Sequence, residues 1–137
     1  MKIIAGVDEV GRGSLIGPVY AAAVILDKSI NKKLLKDSKT LTKSKREILS
    51  KYIKENSIWA IGKSSVKEIE KLNILQASLL SMKRAILSLS KKPDLVLVDG
   101  IFAPKNLSKC KTVIKGDEKI KCISAASVLA KVYRDKI

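Results

Sequence analysis

The 137-residue sequence predicts a layered α/β or α+β domain built on one mixed sheet. Three observations predict it. Apolar runs of strand length end at glycines or turns. Capped segments with helical spacing alternate with those runs. The core must also be aliphatic, because aromatic residues are 4% of a chain that is 46% hydrophobic. With 30% charged residues the chain is globular rather than disordered. One domain over residues 1–137 suits this length, and no internal repeat, linker or low-complexity stretch interrupts it.

The elements follow in order. "KIIAGVDEV" (2–10) is an apolar run closed by glycine and is expected to be a strand. Gly11, Gly13, Gly17 and Pro18 make a turn, and "VYAAAVIL" (19–26) returns as a second strand, hairpin-paired to the first. A lysine-covered helix follows, with Ile48, Leu49, Tyr52 and Ile53 on its apolar stripe. "IWAIGKSSV" (58–66) is a third strand. "SVKE" (65–68) is a capping box, and "NILQ" (73–76) is its Asn/Gln form. The latter opens a long helix with Leu75, Leu79, Met82 and Ile86 along one side. "DLVLVDG" (94–100) has the continuous apolar character of a strand covered on both faces, and "KTVIKGD" (111–117) is a shorter strand of the same kind. In "SAASVLAKVYRDKI" Ser124 can cap a last helix whose Ala125, Val128, Leu129 and Val132 face the core.

The net charge is +15, from 28 basic and 13 acidic residues, which favours a polyanionic partner and nucleic acid first. Only four of the 28 bases are arginine, a bias that coding preference also produces. There is no histidine, and the two cysteines are Cys110 and Cys122. A Cys/His zinc cage and a histidine base are therefore excluded. Two cysteines without a signal peptide suit a reducing cytoplasm. No run approaches the ~20 apolar residues of a membrane span.

Acidic residues stand at three strand ends: Asp8 and Glu9 after "KIIAGV", Asp99 after "DLVLV", and Asp117 after "KTVIKG". A single aspartate at such a position is more often a turn former. Three in the same setting suggest four carboxylates converging where open sheets bind ligands. Such acids repel unless a divalent cation sits among them. An all-oxygen donor set suits Mg²⁺ or Mn²⁺, and two such ions can activate water and stabilise a leaving oxygen of a phosphodiester. Adjacent strand residues point to opposite faces, so Asp8 and Glu9 can share a site only if regular pairing fails near Glu9.

"GRGSLIG" spaces its glycines one residue too far for the dinucleotide fingerprint, and no Walker lysine follows. Gly11 and Gly13 can instead bring backbone amides close to a substrate. "DSK" (37–39) is a capping turn, or else a hydroxyl and an ammonium on a phosphate.

Taken together, "AGVDEVGRG", "DSKTLTKSKRE", "LNILQASLLSMKRAI", "LVLVDG" and "KGDEKIKCISAASVLAKVYRD" resemble ribonuclease HII, the type 2 ribonuclease H family, over residues 3–135. The resemblance implies an RNase H-like fold, a five-stranded mixed sheet flanked by helices. It implies cleavage of the RNA strand of RNA–DNA hybrids and incision 5′ of single ribonucleotides in duplex DNA, leaving 3′-hydroxyl and 5′-phosphate ends. By position it assigns Asp8, Glu9, Asp99 and Asp117 to metal binding, with Asp8 shared between two Mg²⁺ or Mn²⁺ ions. Gly11, Arg12 and Gly13 match the segment that reads the ribose 2′-hydroxyl, the mark that separates RNA from DNA. Ser38 and Lys39 match positions that hold substrate phosphate, and Ser127 and Lys131 match the helix beside the active site. Asp135 matches a structural acid near the end of that helix. The family pattern continues past "KVYRDKI" into further helices, including a tyrosine in a Gly-Tyr-Gly segment that stacks at the ribonucleotide–DNA step. Tyr20, Tyr52 and Tyr133 lie in other motifs. The expectation is a monomeric cytoplasmic nuclease with its metal ligands present. A hybrid-duplex binding module without turnover is the alternative.

Overall fold

The computed structural model describes residues 2–11, 17–105, 107 and 109–136. Five strands, β1 (Ile4–Val10), β2 (Val19–Leu26), β3 (Ser57–Ser64), β4 (Leu95–Asp99) and β5 (Cys110–Val113), form one sheet in the order β3-β2-β1-β4-β5. β1–β2 and β2–β3 pair antiparallel, whereas β1–β4 and β4–β5 pair parallel. This is the five-stranded mixed sheet expected. The helices are α1 (Lys43–Glu55), α2 (Val66–Leu72), α3 (Ile74–Ser88), α4 (Gly116–Lys119) and α5 (Lys121–Asp135), and short 3-10 turns cover Lys32–Leu35 and Ser38–Thr40.

The two sheet faces follow from strand alternation. Val10, Tyr20, Ala22 and Val24 face one way and pack with Leu49 and Ile53 of α1 and Ala125 and Leu129 of α5. Ala5, Val7, Ala21, Ala23, Val96 and Val98 face the other way and pack with Met82, Ala85 and Ile86 of α3. On each face a helix backbone lies directly against a glycine. A Cβ at Gly6 would come within 2.3 Å of the Cys122 carbonyl carbon in α5, and one at Gly62 within 2.0 Å of the Ser81 carbonyl oxygen in α3. Only glycine permits such an approach.

Local signals explain most boundaries. The Ser65 hydroxyl accepts from the Glu68 amide, and the Glu68 carboxylate accepts from the Ser65 amide, so the capping box of α2 is complete. The Asn73 side chain accepts from the Gln76 amide at the start of α3. Three expectations need correction. Ile48 is 72% exposed and Leu75 39% exposed, so neither lies on its helix's buried stripe. β5 ends at Val113 rather than at residue 117, because Lys115 takes a left-handed conformation (φ 54°) and α4 begins at Gly116. α5 begins at Lys121, so Ser124 lies inside the helix and does not cap it.

Candidate metal centre

β1 and β4 are parallel neighbours whose last registered pair is Val7 with Val98. The next residue in each strand is an acid, Asp8 and Asp99. Both fall on the α5 side of the sheet, because Val7 and Val98 belong to the core on the α3 side. Asp117 arrives from the first turn of α4, just past β5. Its backbone amide donates to Asp99 Oδ1 at 3.4 Å. The Ser124 hydroxyl donates to the Asp117 carbonyl oxygen at 2.6 Å, which ties that turn to α5. The sequence suggests Ser124 as a cap, and no local sequence signal marks it as this brace.

One carboxylate oxygen from each of Asp8, Asp99 and Asp117 lies within 4.8 Å of the others. Asp8 is buried at 6% exposure, and its Oδ1 accepts the Glu9 amide at 2.8 Å. Burial, then Asp99, Glu9 and Asp117, push its pKa from 3.8 up to about 8, despite that amide. Three hard oxygen donors, one of them a carboxyl that resists ionisation, fit a divalent cation with oxygen preference.

Glu9 is placed differently from the other three acids. β1 pairs regularly with β2 through Glu9–Ala21 and Val10–Tyr20, so the pairing does not fail at Glu9. Strand alternation therefore keeps Glu9 away from the Asp8 side, and it lies outside the 4.8 Å group. It still senses the cluster: burial first and Asp99 second raise its pKa.

The remaining predicted residues fall around this centre unevenly. Lys39 Nζ lies 3.5 Å from Asp117 Oδ2 and 4.0 Å from Glu118 Oε1. Asp117, then Glu118, raise its pKa. Its turn begins with Asp37 in a left-handed conformation (φ 57°), whose side chain makes no capping bond. Ser38 on the same turn is buried. Ser127 is buried on α5, and Lys131 lies one turn further along, half-buried. Gly11 is exposed, and its carbonyl oxygen accepts from Arg134 Nη1 at 3.4 Å. Arg12 and Gly13 lie outside the described residues. Asp135 holds Arg134 at 3.1 Å and Arg46 of α1 at 3.9 Å, a bracing role. Among the described residues no helix is long and apolar enough to cross a membrane.

Comparison with known proteins bears on the family and the fold. The family model described as Ribonuclease HII matches residues 5–137. A Ribonuclease HII of Pelagibacter ubique is 75% identical over 99% of this chain and 74% of its own length. One from Nitrosococcus oceani is 53% identical over 96% of this chain and 66% of its own. The crystal structure of ribonuclease H2 from Pyrococcus horikoshii superimposes with a TM-score of 0.83 at 30% identity, covering 99% of this chain and 73% of that one. The chain thus spans about two thirds to three quarters of the length of these relatives.

Proposed function

The chain belongs to the ribonuclease HII family, the type 2 ribonucleases H, and from that membership we propose that it is a divalent-metal-dependent endonuclease. Its substrates are the RNA strand of RNA–DNA hybrids and single ribonucleotides within duplex DNA, cut on the 5′ side to leave 3′-hydroxyl and 5′-phosphate ends. The observation that carries the reading is the convergence of Asp8, Asp99 and Asp117 from β1, β4 and α4 within 4.8 Å.

Asp8, Asp99 and Asp117 would hold Mg²⁺ or Mn²⁺, a pair of ions in all, with Glu9 contributing from the edge. Bound there, such ions lower the pKa of an attacking water and neutralise charge on the leaving oxygen. The protein's own groups do the rest. Burial and its acidic neighbours raise the pKa of Asp8 to about 8, and a cation held there would favour its ionised form. None of the acids needs to serve as the base, and the chain has no histidine to do so. The lysine-rich surface draws in the phosphodiester backbone. Gly11, Arg12 and Gly13 would read the 2′-hydroxyl, while Ser38, Lys39, Ser127 and Lys131 would contact phosphates. The protein acts as a cytoplasmic monomer on this reading.

A cleavage assay tests it directly. A labelled RNA–DNA hybrid and a DNA duplex with one ribonucleotide are each incubated with Mg²⁺ and then Mn²⁺. Incision 5′ of the ribonucleotide is expected only with a divalent ion present. Tight duplex binding without any cut under either ion would reduce the protein to a binding module.

A further inference from the structure

We infer that Lys39 is the resident counter-ion of the carboxylate cluster, and that a divalent cation must expel its ammonium from Asp117 to occupy the site. This rests on reading the trio as a cation site. Three carboxylates share a space less than 5 Å across, and Lys39 alone among the ion pairs of the described residues reaches one of them, at 3.5 Å. The two partners differ in freedom. The Asp117 side chain is 12% exposed and its backbone is fixed at both ends, by Asp99 Oδ1 at its amide and by the Ser124 hydroxyl at its carbonyl. Its backbone is thereby held at the cluster. The Lys39 side chain is 55% exposed on a three-residue turn, so its ammonium can leave into solvent with little change elsewhere. One ammonium meets one carboxylate as a point charge. A divalent ion meets all three at once and brings twice the charge, so it wins, but against a standing competitor.

The consequence is a metal affinity held below what the carboxylates alone would give. The test uses Mn²⁺ alone, with no duplex, titrated into the full chain by calorimetry, alongside thermal melting of the metal-free protein. Lys39→Met should tighten Mn²⁺ binding about two- to fivefold and lower the metal-free Tm by about 1–3 °C. Lys36→Met removes the same charge from an exposed position three residues away and should leave Mn²⁺ binding as in the native chain. Lys39→Arg should restore native behaviour. Equal affinity in Lys39→Met and the native chain, or equal tightening in Lys36→Met, overturns the inference while the cation site stands. A native chain that takes up no Mn²⁺ overturns the cation site, and this inference with it.

Discussion

Two carboxylates in this chain experience opposite environments. Glu68 accepts from Arg84 Nη1 at 2.7 Å, from Nη2 at 2.6 Å and from the Ser65 amide at 3.0 Å. Its pKa drops to about 2, chiefly through the Arg84 hydrogen bonds. Asp8 has one amide donor and three acidic neighbours, and its pKa climbs to about 8, chiefly through burial. Glu68 is held where its charge is satisfied by the protein itself and serves the α2–α3 corner. Asp8 is held where only something from outside can satisfy its charge. A fold keeps such a group when the missing partner is part of the work.

The contrast breaks most completely at Asp8. Asp8→Asn should lower cleavage by more than about a thousandfold, measured on a single-ribonucleotide duplex, while duplex affinity stays equal or rises slightly. The metal-free variant should also melt above the native chain at pH 9, where native Asp8 is ionised and the asparagine is neutral.

Next comes the wall that buries Asp8. Gly6→Ala forces a Cβ into the α5 backbone and should cost about 1–3 kcal/mol in chemical denaturation. Retained stability would mean that α5 can shift without loss.

The pH dependence is smaller and has a definite sign. Folded Asp8 keeps a proton that the unfolded chain releases near pH 4, so its contribution to metal-free stability is full below that pH. It is lost progressively as pH rises towards about 8. A divalent ion should reverse this loss, so the Mg²⁺-induced rise in Tm should grow from pH 5 to pH 8.5. A flat increment would contradict the buried-carboxyl picture.

The smallest effect lies at the satisfied acid. Glu68→Gln should lower Tm by about 2–4 °C near neutrality, with no change in the Mg²⁺ response. The direction is opposite to Asp8: the depressed Glu68 pKa contributes stability above about pH 4.5 that disappears as pH falls through about 2. Native and variant melting curves should therefore converge in strong acid.

Much of this contrast was legible in the residues. Apolar runs and turn signals located all five strands, and the recurrence of an acid at three run ends pointed to Asp8, Asp99 and Asp117, which do cluster. The missed details share one cause: they depend on where a second element lies. Nothing local in "KTVIKGD" announces that Lys115 turns left-handed and that Asp117 starts a helix. Glu9 sits beside Asp8 in the chain, yet with unbroken pairing to β2 it lies outside the trio. Gly6 looks like a weak point in a strand until α5 is placed against it. The exposure of Ile48 and Leu75 likewise follows from how each helix is rotated on the sheet, which spacing alone leaves free.

α5 acts as a spacer with two stops. At one stop its backbone rests on residue 6, two positions from Asp8; at the other the Ser124 hydroxyl grips the carbonyl of Asp117. The gap between acids that are 109 positions apart in the chain is thereby gauged by a single rigid rod. Any change that lifts this rod, even one far from the carboxylates, would alter the spacing of the acids before it altered the fold.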